Sequence, residues 1–310
     1  MPVSDAVLLG PQYRMPNLRE AVTSLGAAGP LAVISAGWQE REGELDELAA
    51  HVGVAVTDLR LYARTEEIWA TDSALAAAAR ERQARLQELQ DTYRLRLGAL
   101  MRAVEELQAL AEDSAAVRQA RRSALGDVRR LDRQHLYATA REHAAFEARW
   151  RPRSRPSTAS AFAAVNAILA NSAAVLIAGG HVAVLLNRLR LFDLGATLAT
   201  RPLIAWSAGA MAVSERVVLF HDHPPQGASH PEVLEAGLGL VAAVVALPHA
   251  GARLALEDRL RVGTLARRFA PARCLALDHG SLARWHRGKL VAASDLRRLT
   301  RSGRLAAEAA

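Results

Sequence analysis

The chain has 310 residues, of which 51% are hydrophobic and 23% charged, enough for a sizeable core and too apolar for a disordered chain. Its 39 basic residues against 32 acidic ones give a net charge of +7, but with Lys289 the single lysine among abundant alanine, the arginine excess reads as GC-rich coding rather than as a nucleic-acid footprint. Aromatic residues are only 5%, too few for a stacking platform for single strands, and the lone Cys274 excludes an internal disulfide framework. The longest apolar runs, Ala173 to Leu186 and Ala236 to Pro248, fall short of the roughly 20 residues of a membrane span. No basic start followed by an apolar stretch follows Met1, so the expected location is the cytoplasm.

In chain order, Ala6 to Leu9 predicts a strand, Asn17 caps a helix ending at the Gly26 to Pro30 breaker, and Leu31 to Ser35 predicts a second strand. A helix from about Gly43 to His51 and a third strand near Leu59 to Tyr62 follow. This alternation predicts an α/β fold with a doubly wound, mostly parallel sheet. It stops between Glu66 and Trp150, where alanine, arginine, glutamate, glutamine and leucine dominate. There Tyr93, Leu97, Leu100, Val104, Leu107 and Ala111 recur at gaps of four and three, the seam of a long helix, and a break at Glu112 to Ser114 predicts a second helix antiparallel to it. The expected organisation is an α/β domain of residues 1–64 and 151–310 carrying a helical-hairpin insertion of residues 65–150. The hairpin seam packs internally or offers a dimer or protein-partner surface. Pro152 and Pro156 mark the return to the α/β rhythm, with strands expected at Ala174 to Ile177, Leu203 to Ala205, Val217 to Phe220, Val241 to Leu247, Arg273 to Leu277 and Leu290 to Ala292.

The chemistry concentrates at the ends of these strands. Leu203 to Ala210 reads LIAWSAGA, a small-x-Ser-x-Gly stretch between strand and helix that lifts Ser207 above the sheet edge, beside the free N–H groups of a helix start; as a bland alternative, Ser207 is only a helix cap. A serine nucleophile needs a base and an orienting acid. Asp222 and then His249 come after Ser207 in the chain, and each follows a predicted strand at the edge where open α/β sheets place their sites. Asp278, in the Asp278-His279-Gly280 turn, is a second candidate acid or substrate contact. Trp38 to Glu42 follows an early strand at the same edge. His221, His223 and His230 flank the acid, but a triad turn accounts for them, so no metal and no cofactor are expected. His230-Pro-Glu232 imitates the His-x-Glu of glutamine amidotransferases, which need a cysteine at the elbow, where this chain has serine.

The Gly179-Gly180 pair after a strand, Ser-Ala-Gly-Ala at 207–210, Asp222, Gly237-Leu-Gly-Leu240 and Pro248-His249 together resemble the serine peptidases that include aspartyl dipeptidase (peptidase E) and cyanophycinase, built on a class I glutamine amidotransferase-like fold. The resemblance covers the chain after Pro156, the stretch from Met1 to Arg64 only in rhythm, and the hairpin not at all. It implies Ser207 as nucleophile, His249 as general base, Asp222 as orienting acid, and the N–H groups of Gly180 and Ala208 as oxyanion donors. Gly179 and His181 are further candidate substrate-binding positions, with His181 standing where the family usually has Asp or Asn, and Asp278 is another from its place at a strand end. The implied activity is cleavage of a small peptide or amide through an acyl-enzyme, with an aspartyl residue on the acyl side. The alternative is a non-catalytic binding protein that keeps the fold and recruits a partner through the hairpin. Neither membrane nor nucleic acid is an expected partner.

Overall fold

The computed structural model describes residues 4–222 and 230–310. The elements run β1 (Asp5–Leu9), α1 (Leu18–Ser24), β2 (Leu31–Ile34), α2 (Asp46–Val52), β3 (Val56–Asp58), α3 (Leu61–Thr71), α4 (Ser73–Ala109) and α5 (Ala115–Trp150). Then follow α6 (Pro156–Ala170), β4 (Ala174–Ile177), α7 (Val182–Leu191), α8 (Leu194–Ala199), β5 (Leu203–Trp206), α9 (Ala208–Val213), β6 (Arg216–Leu219) and β7 (Glu232–Ala236). The chain closes with β8 (Val244–Pro248), α10 (Ala250–Arg253), α11 (Arg259–Phe269), β9 (Arg273–Leu277), β10 (Leu282–His286), β11 (Lys289–Ser294), β12 (Arg297–Leu299) and β13 (Leu305–Ala307). It is an α/β protein with a mostly parallel central sheet and a long helical region.

The central sheet has the order β11-β10-β1-β5-β4-β2-β3, parallel from β1 to β3, with β10 antiparallel to both β1 and β11. Its inner strands read AVLL, LAVI, AVLI and LIAW without polar interruption because helices cover both faces and every side chain is buried. The register sets Leu9 beside Trp206 and Ile34 beside Ile177, so the turns that follow β1, β2, β4 and β5 leave the sheet at one edge. The single expected sheet is in fact divided. Strands β8 and β9 pair in parallel with each other and continue through β12 to β13 as a second, four-stranded sheet, while β6 and β7 form a separate antiparallel pair.

The third strand also lies earlier than the sequence suggests. Asp58 stops it: one carboxylate oxygen accepts from the Arg60 N–H at 2.6 Å and the other from the buried Ser35 hydroxyl, while Arg60 takes a left-handed turn. Leu59 and Leu61 then serve helix packing, and α3 begins at Leu61.

Helices α4 and α5, of 37 and 36 residues, form the expected antiparallel hairpin. Asp72 caps α4 through the Leu75 N–H at 2.9 Å, and Ser114 caps α5 through the Val117 N–H at 3.2 Å. The base of the hairpin is closed by the Arg155 guanidinium on both oxygens of Asp72, at 2.7 and 2.9 Å, which with the Ser157 hydroxyl holds that carboxyl down at about 2. The seam faces inward: Tyr93, Leu97, Met101, Val104, Val128 and Leu131 share a core with Val245 and Leu247 of β8 and Leu265 and Phe269 of α11. The seam from Tyr93 to Val104 is therefore occupied within the chain, while Leu107 is half-buried and Ala111 exposed.

A buried polar knot lies in this second core. Arg268 donates to both oxygens of Asp132 at 2.8 and 2.7 Å, to the Pro231 carbonyl at 2.7 Å and to the Tyr93 hydroxyl at 2.8 Å. That hydroxyl also accepts from the Val233 N–H and donates to Asp132. Burial raises the Tyr93 pKa above the usual phenol range. Cys274 in β9 is 1% exposed, and burial pushes its thiol up to about 12.

Candidate active site

Ser207 occupies the one-residue turn between β5 and α9 at φ 50° and ψ −120°, a conformation that costs a residue with a side chain about 1–3 kcal/mol. Close approach of neighbouring backbone explains the small residues around it. A methyl group at Gly209 would run into the Ile177 carbonyl oxygen, and one at Gly179 would sit 2.9 Å from the Ser207 Cβ. Ala205, which replaces the first glycine of the usual elbow, is fully buried inside β5. The Gly179-Gly180 turn lies against this serine, and its return is fixed by the His181 N–H on the Gly37 carbonyl at 2.8 Å. Among the described residues the Gly180 N–H donates to no backbone carbonyl, and the Ala208 N–H is the first of its helix, a position without an intrahelical acceptor.

His249 follows β8 in the left-handed region at φ 59°, anchored by its own N–H on the Leu277 carbonyl at 3.0 Å. The half-buried ring has its pKa lowered chiefly by desolvation, then by Arg253 and His279, with Asp278 opposing. A neutral imidazole is the form a general base requires. Ser207, His249, Gly179, Gly180 and Ala208 all line one open cleft of about 1190 Å³, whose outer walls include Tyr13, Trp38, Arg41, Arg94, Glu232 and Arg253. Trp38 and Arg41 meet the expectation that the segment after the second strand reaches this edge. Within that segment Gln39, at φ 59° and ψ −122°, repeats the backbone of Ser207. Among the described residues neither the Ser207 hydroxyl nor the His249 ring makes a hydrogen bond; catalytic hydrogen bonds commonly tighten only when substrate is bound.

The acid expected to orient His249 is engaged elsewhere. Asp222 accepts from the Arg261 guanidinium at 2.8 and 2.5 Å and from the Ala255 N–H at 2.9 Å, and it lines a different, smaller cavity of about 180 Å³ beside α4 and α11. Held by a bidentate arginine and a backbone donor, Asp222 braces the segment after α10 and makes no hydrogen bond to the imidazole. Asp278 is the carboxylate whose charge reaches His249, yet its oxygens accept from the Gly251 N–H at 2.8 Å and from Arg297 at 2.8 Å. His181 caps α7 by accepting from the Val184 N–H at 3.3 Å and does not line the cleft.

Of the other histidines, His221 and His230 both line the cleft, His230 also lying 3.5 Å from Glu105, and His223 is outside the described residues. Glu232 pairs with Arg94 at 2.9 Å and Gln90 at 3.1 Å, so His230-Pro-Glu232 serves no cysteine elbow. Among the described residues no three His, Cys, Asp or Glu side chains are grouped as metal ligands. Sequence reasoning missed Tyr13. Its ring stacks on His249 at 6.2 Å between centroids, and its hydroxyl lies 3.2 Å from the Nε2 of His279. A lone tyrosine in a loop between prolines carries no motif that marks it.

No protein-family model matches the chain, and no curated protein matches it. Among solved structures it is similar to the crystal structure of a peptidase from an acI-B1 Actinobacterium, over 96% of this chain and 91% of that one, at 13% identity and a TM-score of 0.47. A likeness of that size carries no argument about activity, so function is read from the geometry of the cleft.

Proposed function

We propose that the protein is a serine-type hydrolase of small peptides or related amides, with the architecture of the class I glutamine amidotransferase-like serine peptidases. The observation that carries this reading is the strained Ser207 at the head of α9, in one cleft with His249 and beside the N–H groups of Gly180 and Ala208. In the proposed reaction His249 takes the Ser207 proton as Oγ attacks the substrate carbonyl, and the two N–H groups stabilise the oxyanion. The imidazolium then returns the proton to the leaving amine, and water, activated by the same ring, hydrolyses the acyl-enzyme. Asp278 acts on the ring through its charge alone. Arg253 lines the cleft, is exposed, and has no side-chain ion pair among the described residues. It is the group that would meet the acidic acyl-side residue implied by the resemblance.

One observation favours a second reading: no carboxylate among the described residues is hydrogen-bonded to His249, as a non-catalytic binding protein on this fold would allow. A fluorophosphonate probe distinguishes the two. The hydrolase reading expects covalent labelling of the wild type at Ser207 and its loss in Ser207→Ala, because rapid reaction needs an activated hydroxyl. Equal labelling of both proteins, or of neither, would favour the binding protein.

A further inference from the structure

We propose that His279, braced by Tyr13, is the positioning residue of His249, standing where a hydrogen-bonded carboxylate would otherwise orient the ring. The proposal rests on the serine-hydrolase reading of the cleft. Three aromatic rings from distant parts of the chain meet at this point. Tyr13 lies in the loop after β1, His249 after β8 and His279 after β9. Tyr13 and His279 are edge to face at 4.6 Å, and each lies 6.2 Å from His249, one nearly parallel to it at 24° and the other perpendicular at 89°. These contacts restrict the imidazole on two sides.

The loops that carry the two bracing rings are fastened to each other. The Gly10 N–H donates to the Ser281 carbonyl at 3.0 Å, and the Asn17 amide donates to the Gly280 carbonyl at 2.9 Å. Ser281 in turn donates to the Asp295 carbonyl at 2.7 Å. Tyr13, although 66% exposed, is thus held by its hydroxyl on Nε2 of His279, while Nδ1 of His279 is buried with no hydrogen-bond partner among the described residues. Asp278 is held by one bond on each oxygen, from Gly251 and from Arg297, and makes none to the ring. Its bond to Gly251 pins the turn that carries His249, and the ring itself is left to the aromatic pair.

The charged and titratable neighbours of His249 are Arg253, Asp278, His279 and Tyr13; Arg297 lies behind Asp278, and Asp295 lies behind Gly280. A protonated His279 would set a second cation against the imidazolium that forms when Ser207 gives up its proton. Charge at position 279 therefore bears on the imidazolium.

The test is the rate of fluorophosphonate labelling of Ser207 in the full chain from pH 5 to 9, for wild type, His279→Ala, His279→Glu, Tyr13→Ala and Tyr13→Phe. Loss of orientation in His279→Ala and Tyr13→Ala is expected to slow labelling at pH 8 by about 10- to 100-fold. Tyr13→Phe, which keeps the ring and loses the hydroxyl, is expected between wild type and Tyr13→Ala. His279→Glu places a carboxylate beside the imidazole and is expected to recover rate at pH 8, with the acid limb moved up by about one pH unit. The limb shift in His279→Glu follows from the added charge; the discriminating readout is its recovered rate at pH 8, which a merely structural role for His279 would not give. Should His279→Ala fail to fold, His279→Glu and the tyrosine variants carry the comparison. Wild-type rates and an unshifted acid limb in these variants would overturn the positioning role while the hydrolase reading stands. Absence of labelling in the wild type would overturn both.

Discussion

Two polar clusters in this molecule are each assembled from distant parts of the chain, and they are treated in opposite ways. Around Arg268 nearly every polar atom is matched: Asp132, the Tyr93 hydroxyl and the Pro231 carbonyl accept from a guanidinium that is 2% exposed, and the Val233 N–H donates to Tyr93. Around Ser207 the backbone is strained, the hydroxyl and the His249 ring have no hydrogen-bond partner among the described residues, and the surroundings open into a cleft. A matched, dry network has nothing left to offer a ligand and serves to fix one packing of the hairpin on α11. An unmatched and strained one is maintained by its surroundings and leaves donors and a nucleophile free to act.

This contrast can be broken most directly at Asp132. Asp132→Ala leaves Arg268 buried without its counter-charge, and a loss of about 3–5 kcal/mol in urea unfolding is expected. Replacing both partners, as in Asp132→Leu with Arg268→Met, should recover part of that loss, since no buried charge is left unpaired while the Tyr93 hydroxyl and the Pro231 carbonyl still lose their partners. A loss under about 1 kcal/mol in the single variant would mean that the knot is not what secures the hairpin.

The seam beside it gives the next largest effect. Leu97 is 1% exposed and Leu95, on the same helix, is 79% exposed. Leu97→Ala is expected to cost about 3 kcal/mol and Leu95→Ala less than about 0.5, both by urea unfolding. Equal effects would show that the hairpin does not present this face to the sheet. At the cleft the sign reverses: Ser207→Gly removes the side chain that makes φ 50° unfavourable and should raise stability by about 1 kcal/mol. A destabilised Ser207→Gly would place Ser207 with the matched cluster instead of apart from it.

How much of this is legible in the sequence follows from what each signal encodes. The inner strands are readable because burial on both faces demands uninterrupted apolar runs, and the hairpin is readable from its periodic seam and its Ser114 break. Strand β7 is not, because its charged Glu235 is buried against His143 and Arg190, partners that only tertiary structure supplies. The division into three sheets is equally hidden, since pairing of β8 with β9 leaves no trace in either strand's composition. At the site, Ser207 and the glycines are legible because a tight turn restricts residue type locally. The fate of Asp222 is not, because it depends on Arg261, far along the chain in α11. The same long-range dependence hides Tyr13, whose partners His249 and His279 lie toward the opposite end of the chain.

The burial of Cys274 makes the protein, in effect, thiol-silent. A side chain 1% exposed, with its ionisation pushed up to about 12, presents almost no thiolate to alkylating reagents at neutral pH. A single cysteine introduced at the rim of the cleft, at Trp38 for instance, would therefore be the one reactive thiol in the folded molecule. A fluorophore or spin label could be attached there to follow occupancy of the cleft, without first removing the native residue from the core.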